Sequence, residues 1–496
     1  MSENHPNGFR EIARRPIGYR DPSQRIQDYR EIYAPDWSVE HLREQGQRCM
    51  DCGIPTCMTG CPIGNLIPEW NDLVYRNQWR EALDRLHATN NFPEFTGYTC
   101  PAPCQPACTL AYNDDPVTIK DIERAIVDKG WAEGWIQPQP PYQRTGFRVA
   151  VVGSGPAGLS VAQQLNRVGH HVEVFERDDM IGGLMTYGIP DFKFAKHQVA
   201  RRVDQMQREG VIFHTGARIG PDRPLADLRS AFDAVCLAIG AQSHRDVQMP
   251  GRALDGIHFG MDYLTAANRQ QAGKAVDQPI DARDRHVVVL GGGDTGADCV
   301  ATAHRQGARD VVQISIRPAA PHERPEDNPW PRQPQVYEKT YAQQEGGSEQ
   351  FAINTLAFED LDGDGRVHDI LAERVEWTYD ERGRRKDKTV LEGDLHIPAD
   401  LVLIAIGFTG PQAEAFQDEG LFLTDRGSFG TDERLMTTLP GVFACGDAHM
   451  GPSIVVWAIG EGRDAARAID TYLTGHSNLP ASLRTPNPPQ WEEAGL

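Results

Sequence analysis

Two stretches of this chain share one texture: "FRVAVVGSGPAGLSVAQQLNRVGHHVEVFE", from Phe147, and "RHVVVLGGGDTGADCVATAHRQGARDVVQISIR", from Arg285. Each runs as a short apolar strand, a glycine-rich turn, a helix with helical apolar spacing, and a second apolar strand. That order opens a nucleotide-binding α/β unit, in which a tight turn delivers a helix N-terminus to a phosphate. Two such openings far apart in the chain make two nucleotide-binding domains and not a solenoid repeat. Two further strand ends, "DAVCLAIGA" (233–241) and "ADLVLIAIGF" (399–408), resemble each other and follow the two turns in order. They read as the last strands before the chain crosses between domains, which nests the second domain inside the first.

The turns themselves carry chemistry. In "GSGPAG", Gly153 makes the tight turn, Gly155 lets backbone approach a pyrophosphate, and Gly158 lets helix and strand pack closely, with Pro156 and Ala157 between them. Glu176 ends the next strand, where a carboxylate can accept from ribose hydroxyls. In "GGGDTG", Gly291, Gly293 and Gly296 take the same roles around Asp294 and Thr295. Here the second strand ends at Arg317, with no acid at the ribose position. A guanidinium there suits a 2′-phosphate, with Arg324 as a possible second arm; otherwise both are surface arginines. These features point to FAD at the first turn and NADPH at the second. A third segment, "GVFACGDAHMGPSIVVWAIGEGRDAARAIDTYL", supports flavin. Gly446 and Asp447 would sit at a strand end, where the carboxylate can accept from a ribitol hydroxyl. The helix beginning near Ser453 would aim its positive end at the flavin pyrimidine edge.

The chain before Trp135 reads as helices and loops, from "VEHLREQGQRC", "IPEWNDLVYRNQWREALDRLHATN" and "PVTIKDIERAIVDKGWAEG". A Pro-rich linker follows at 135–146, and residues 330–395 read as an antiparallel meander with polar turns. Seven of the ten cysteines cluster in the helical part. Cys49, Cys52, Cys57 and Cys61 follow C-x2-C-x4-C-x3-C-P, and Cys100, Cys104 and Cys108 follow C-x3-C-x3-C. One zinc on the first four would leave the trio unexplained. Iron–sulfur sites borrow ligands from distant segments, and beside a flavin they carry its electrons singly. Cys236, Cys299 and Cys445 lie in strand and helix patterns and read as buried packing residues. The chain of 496 residues is long enough for two or three domains, and its net charge of −20 argues against nucleic acid and anionic membranes. No apolar run reaches membrane-spanning length, and "MSENHPNGFREIARRP" has no apolar targeting segment, so a cytoplasmic chain with reduced thiols is expected.

With "CMDCGIPTC", "GCPIGNLIPEWNDLVY", "CPAPCQPAC", "PVTIKDIE", "GLMTYGIPDFK" and "GGGDTGADC" in view, the whole chain resembles the small (beta) subunits of NADPH-dependent glutamate synthase. These are relatives of the electron-entry half of dihydropyrimidine dehydrogenase. The resemblance implies an α/β fold in which a helical iron–sulfur domain (1–145) precedes two nested Rossmann-like domains. FAD would bind 146–280 and 407–496, and NADPH the inserted 281–406. It implies two cross-ligated 4Fe-4S clusters, one on Cys49, Cys52, Cys57 and Cys108, the other on Cys61, Cys100 and Cys104. The fourth ligand of the second is a glutamine in the relative, and the matching position after Pro116 is Glu123. The change to glutamate leaves a helix-surface charge as the other reading of Glu123. The segment 182–193, with Gly183 and Leu184, would pack by the flavin. The implied function is electron supply from NADPH, through FAD and the clusters, to a large (alpha) subunit. That partner makes L-glutamate from L-glutamine and 2-oxoglutarate; the chain itself has no N-terminal cysteine for glutamine hydrolysis, Met1 being followed by Ser2. The other readings are a reductase of the same build serving ferredoxin or a pyrimidine-reducing partner, and a non-enzymatic module with a structural zinc.

Overall fold

A computed structural model describes residues 7–34, 37–380, 384–417 and 419–481. Residues 1–6, part of the segment read above for targeting, lie outside the described residues. The helical part packs five main helices: α1 (Val39–Gln47), α2 (Ile67–Tyr75), α3 (Trp79–Thr89), α4 (Pro93–Thr99) and α5 (Ile119–Ala132). Ser38 caps α1 by accepting from His41 N, and α5 buries Ile119, Ile122, Ala125 and Ile126 at helical spacing. The stretch "IPEWNDLVYRNQWREALDRLHATN", read for its helical spacing, forms two helices, divided between α2 and α3. Asn77 turns left-handed there (φ 62°), and Gln78 N bonds back to Leu73 O, a helix-ending motif that asparagine tolerates.

The first sheet is formed by β1 (Arg148–Val152), β2 (His171–Phe175), β3 (Ile212–His214), β4 (Ala234–Leu237) and the late β15 (Val442–Ala444), in the order β15-β4-β1-β2-β3. Helix α6 (Pro156–Arg167) follows β1, α7 (His197–Glu209) precedes β3, and a long final helix runs from Val455 to Thr474. The second sheet has the order β6-β13-β7-β8-β9. Its strands are β6 (Ile257–Phe259), β7 (His286–Leu290), β8 (Asp310–Ser315), β9 (Ser348–Phe351) and β13 (Leu401–Ile404). Helix α8 (Gly260–Gln271) follows β6, α9 (Asp294–Gln306) follows β7, and α10 (Tyr341–Glu345) precedes β9. Both sheets are parallel throughout, and β1, β4, β7 and β13 are apolar along nearly their whole length because helices or strands cover both faces. The expected meander is an antiparallel sheet of β10 (Ile353–Glu359), β11 (Asp369–Tyr379) and β12 (Arg385–Pro398).

The nesting has a physical joint. β5 (Ser243–His244) leaves the first sheet, β14 (Phe408–Gly410) returns to it, and the two pair antiparallel as a short ribbon. The boundary expected at 281 is corrected by this topology: β6 and α8 come after the crossing and belong to the second sheet.

The helical unit is not a separable appendage. One hydrophobic core runs without a break from Leu42, Trp70 and Phe95 to Val149, Val161 and Ile469, so the helices share their core with one face of the first sheet. Within this contact Arg202 of α7 donates Nε and Nη2 to the two oxygens of Glu94 in α4 (2.6 and 2.7 Å), with both side chains at most 1% exposed. Removing one partner of such a pair strands a buried charge, whereas removing both does not. Glu94→Ala is expected to destabilise the fold by about 3–5 kcal/mol, and adding Arg202→Leu to recover most of that loss, as read by urea unfolding. An additive double variant would remove the ion pair from this role.

Candidate cofactor-binding sites

At the end of β1 the chain turns through Gly153 (φ 101°), where a Cβ would lie 2.4 Å from Ala238 O. A Cβ on Gly158 would lie 2.1 Å from Gly153 O, so strand and helix meet backbone to backbone. A Cβ on Gly155 would meet nothing within 4 Å. This bare face stands before the N-terminus of α6, which has Pro156 in its first turn and no side-chain cap. It is a cradle that suits an anion, because unsatisfied N–H groups point at it. Glu176 is buried at the end of β2 and accepts from Ser154 N (3.0 Å), Ser154 Oγ (2.5 Å) and Asp178 N (2.8 Å). Ser154 Oγ in turn accepts from Gly182 N (2.9 Å), which lays the 182–183 loop over the turn. A Cβ on Gly183 would lie 3.0 Å from Gly155 Cα, and Leu184 begins a single helical turn at the surface. Ser154 was missed in the sequence because it occupies a variable position of the glycine motif; nothing in its spacing marks it.

A third segment closes the same site. A Cβ on Gly446 would lie 2.6 Å from Ala157 Cβ, so the turn after β15 rests on the start of α6. Asp447 follows it and accepts at Oδ1 from Ser453 N (3.1 Å) and Oγ (2.6 Å). Burial, with Glu461 adding, pushes its carboxyl up to about 7. The helix α11 (Val455–Thr474) starts two residues after Ser453. The structure therefore gathers Gly153, Gly155, Pro156, Ala157, Gly158, Glu176, Gly183, Gly446, Asp447 and Ser453 around one helix N-terminus.

The second turn repeats the design. Gly291 (φ 121°) would place a Cβ 2.2 Å from Ala405 O, Gly296 one 2.4 Å from Gly291 O, and Gly293 one in open space. Asp294 and Thr295 open α9, and Asp294 lies exposed, 4.0 Å from Lys193 Nζ. Arg317 stands two residues past β8, exposed, and its guanidinium has no hydrogen-bond or ion-pair partner among the described residues. Arg324 differs. Its Nη1 donates to Asn328 O (3.0 Å) and Arg332 O (3.0 Å), so it braces its own loop.

The seven clustered cysteines form two groups. Burial pushes the Cys49 thiol up to about 11, with Cys108 and Cys52 adding, and Cys57 is raised by burial and then by Cys108, Cys49 and Cys52. Burial likewise raises Cys61 and Cys100 to about 12 and Cys104 well above its usual range, and the acidic neighbours of these three include Glu123 and one another. Glu123 is 6% exposed, which excludes the surface-charge reading. Its Oε1 accepts from Thr96 Oγ (2.7 Å) and Asn90 Nδ2 (3.0 Å). Cys61, Cys100, Cys104 and Glu123 line one small cavity of about 10 Å³, which Val456 of α11 also walls. Four thiols in one group, and three thiols with a carboxylate in the other, are donor sets that an iron–sulfur cluster relieves by taking them as thiolate and carboxylate ligands. Asn90 and Thr96 gave no sequence signal, since they reach Glu123 from other helices. Cys236 and Cys445 are fully buried and touch at 3.6 Å, and Cys299 is buried in α9, as packing residues are.

The comparisons agree with this division. Residues 25–135 match the family model described as dihydropyrimidine dehydrogenase domain II, 4Fe-4S cluster. Residues 147–328 and 366–462 match pyridine nucleotide-disulphide oxidoreductase. The glutamate synthase [NADPH] small chain of Mycobacterium tuberculosis is 50% identical over 97% of this chain and 98% of its own. This chain belongs to the glutamate synthase small-chain family. The small chain of Bacillus subtilis is 47% identical over 96% of this chain and 99% of its own. About two thirds of this family member shares its fold with Mycobacterium tuberculosis FprA in complex with NADPH (TM-score 0.53, 18% identity, 68% of this chain, 85% of that one). Among the described residues no helix is long and apolar enough to cross a membrane.

Asp447 makes the site pH-sensitive. Its carboxyl titrates near 7 in the fold and near 4 in the unfolded chain, so folding favours its protonated form. Its contribution to stability is greatest below about pH 4 and is lost as pH rises through about 7. In cofactor-free protein, Asp447→Asn is expected to raise urea resistance at pH 7.5, by on the order of 2 kcal/mol, and hardly at all at pH 4. An equal gain at both pH values would mean that burial of the charge is not the cause.

Proposed function

We propose that this chain is the electron-supplying small subunit of an NADPH-dependent glutamate synthase. FAD would take a hydride from NADPH, and its two electrons would leave singly through two 4Fe-4S clusters, with the proton released, to a large subunit that makes L-glutamate from L-glutamine and 2-oxoglutarate. The observation that carries the reading is the shared wall. Helix α11 starts beside Asp447 and Ser453 and lines the cavity of Cys61, Cys100, Cys104 and Glu123 through Val456. One helix thus touches both the flavin cradle and a cluster pocket, the adjacency that electron passage requires.

In this reading Gly155 leaves room for the FAD pyrophosphate and the α6 N-terminus faces its charge. Glu176, already ordered by Ser154, accepts from ribose. Asp447, with its carboxyl near 7, serves a ribitol hydroxyl as acceptor or donor. Gly293 opens the coenzyme cradle, and Arg317 meets the 2′-phosphate, with Arg324 bracing the 324–332 loop. Cys49, Cys52, Cys57 and Cys108 hold one cluster; Cys61, Cys100, Cys104 and Glu123 hold the other. Glu123→Ala should then lower iron from about eight to about four per chain and remove one cluster's spectrum, with flavin retained. Full iron with unchanged spectra would end the Glu123 assignment.

The large partner has support of its own. In Schizosaccharomyces pombe the matching segment is 23% of a longer chain named glutamate synthase [NADH], 44% identical to this one. That name also bears on the coenzyme, because the Escherichia coli small chain, named for NADPH, is only 36% identical. The small chains of Mycobacterium tuberculosis and Bacillus subtilis, both named for NADPH, are more similar than either, and Arg317 is the residue here that would read the 2′-phosphate. The purified chain should oxidise NADPH with an artificial acceptor and form no glutamate from glutamine and 2-oxoglutarate. Glutamate formed by this chain alone would overturn the assignment. A preference for NADPH of at least about tenfold in kcat/KM, about 1.4 kcal/mol, is expected. Arg317→Ala should raise KM for NADPH and leave NADH nearly unchanged; equal losses with both would mean that Arg317 supports the fold.

A further inference from the structure

Two chain crossings attach the nested unit to the first sheet, and they pair only as the short β5–β14 ribbon. A joint of two short strands is where a domain can swing. A third tie reaches the nested unit from the far end of the molecule. Residues 17–34 precede the cysteine loops and fold back on themselves, with Arg20 N bonded to Ile32 O (2.7 Å) and Ala34 N to Gly18 O (2.9 Å). Ile32 is 1% exposed and belongs to the hydrophobic core on one face of the second sheet. Tyr33 secures this strap to the helical unit. Its Oη donates to Tyr98 O (2.6 Å), and the Arg124 guanidinium lies 4.1 Å from its ring centre.

On the other side, Arg25 donates from Nε to Glu345 Oε1 (2.6 Å) and from Nη2 to Tyr341 O (2.7 Å). The same carboxylate takes Arg305 of α9, Nη1 to Oε2 (2.5 Å) and Nη2 to Oε1 (3.0 Å). All three side chains are 0% exposed. Arg305 also donates from Nε to Asp28 O of the strap (3.1 Å), and its guanidinium sits 3.8 Å from the Phe192 ring centre, in the loop that follows the flavin-side turn. Helix α9 is the one that opens at the second glycine turn.

We infer that Glu345, clasped between Arg25 and Arg305, is a positioning residue for hydride transfer, tying the coenzyme-binding unit to the N-terminal strap and fixing its attitude toward the flavin unit. The inference rests on the coenzyme and flavin assignment proposed above. A swing about the β5–β14 ribbon would draw Glu345 away from Arg25 and leave buried charges unpaired, so the clasp holds the closed arrangement. Hydride transfer needs donor and acceptor carbon and nitrogen aligned within about 3–3.5 Å, a tolerance that a freely swinging unit does not keep.

The test uses the full chain with its bound flavin and clusters. Flavin bleaching by NADPH is followed by stopped flow, NADPH binding by titration, and amide exchange by mass spectrometry. Glu345→Gln and Arg25→Met should slow bleaching at saturating NADPH by on the order of tenfold or more, with the dissociation constant for NADPH within about twofold. Amide exchange should quicken at 243–244, 408–410 and 341–346, with iron and flavin content unchanged. Arg25→Lys, which keeps the charge, should recover most of the rate. Unchanged bleaching despite faster exchange would reduce the clasp to a stabilising contact, and unchanged exchange would overturn it directly. Should Glu345→Gln fail to fold, Arg25→Met, which leaves the nested unit intact, decides between these outcomes. Absence of bleaching in the unsubstituted chain would overturn the flavin and NADPH assignment itself, before any substitution is made.

Discussion

The contact on which the molecule depends is ionic and dry: Arg202 of one unit clasped in both oxygens of Glu94 of another. Two more contacts of that kind complete a circuit. Lys193, from the flavin side, meets Asp298 of α9 at 2.8 Å, and Tyr341 donates to the same Asp298 oxygen (2.6 Å). Arg25 and Arg305 share Glu345. Each pair of the three units is thus joined by charges removed from water. Apolar surfaces of similar area would hold the units together as firmly, but they tolerate sliding. A bidentate arginine–carboxylate pair accepts one geometry, which is what a route between nicotinamide, flavin and iron–sulfur centres needs.

Much of this was legible in the sequence where local rules dictate structure. The two glycine turns, their strands and their helices followed from period and spacing, because close backbone approach leaves glycine no substitute at Gly153 and Gly291. The nesting was legible from the two similar strand ends. What was not legible depends on contacts between distant segments. The edge strand β6 is too short to announce which sheet it joins, so the boundary at 281 came too late. Asn77 divides α2 from α3, a boundary that apolar spacing alone does not mark. Arg324 sits at a reasonable spacing for a phosphate arm, yet its loop carbonyls claim it. The surroundings of Glu123 come from Asn90 and Thr96, whose approach no linear pattern encodes.

The cysteine loops show the opposite balance. Crowding thiols and the Glu123 carboxylate together away from water is costly for their charged forms, and burial holds the Cys49, Cys61 and Cys100 thiols well above the usual thiol range. The helical unit accepts it because its apolar core is continuous with the first sheet and does not have to support itself.

The late position of β15 has a consequence for how the chain is made. Residues 442–444 pair with β4, which was synthesised some two hundred residues earlier by position in the chain. On a ribosome, the first sheet therefore waits with an open edge at β4 while the whole second sheet, from 257 to 404, emerges and can close. The domain begun first is finished last. During that interval β4 presents unpaired backbone and the apolar residues of "AVCL", so nascent chains halted between 404 and 442 are the ones most exposed to wrong partners.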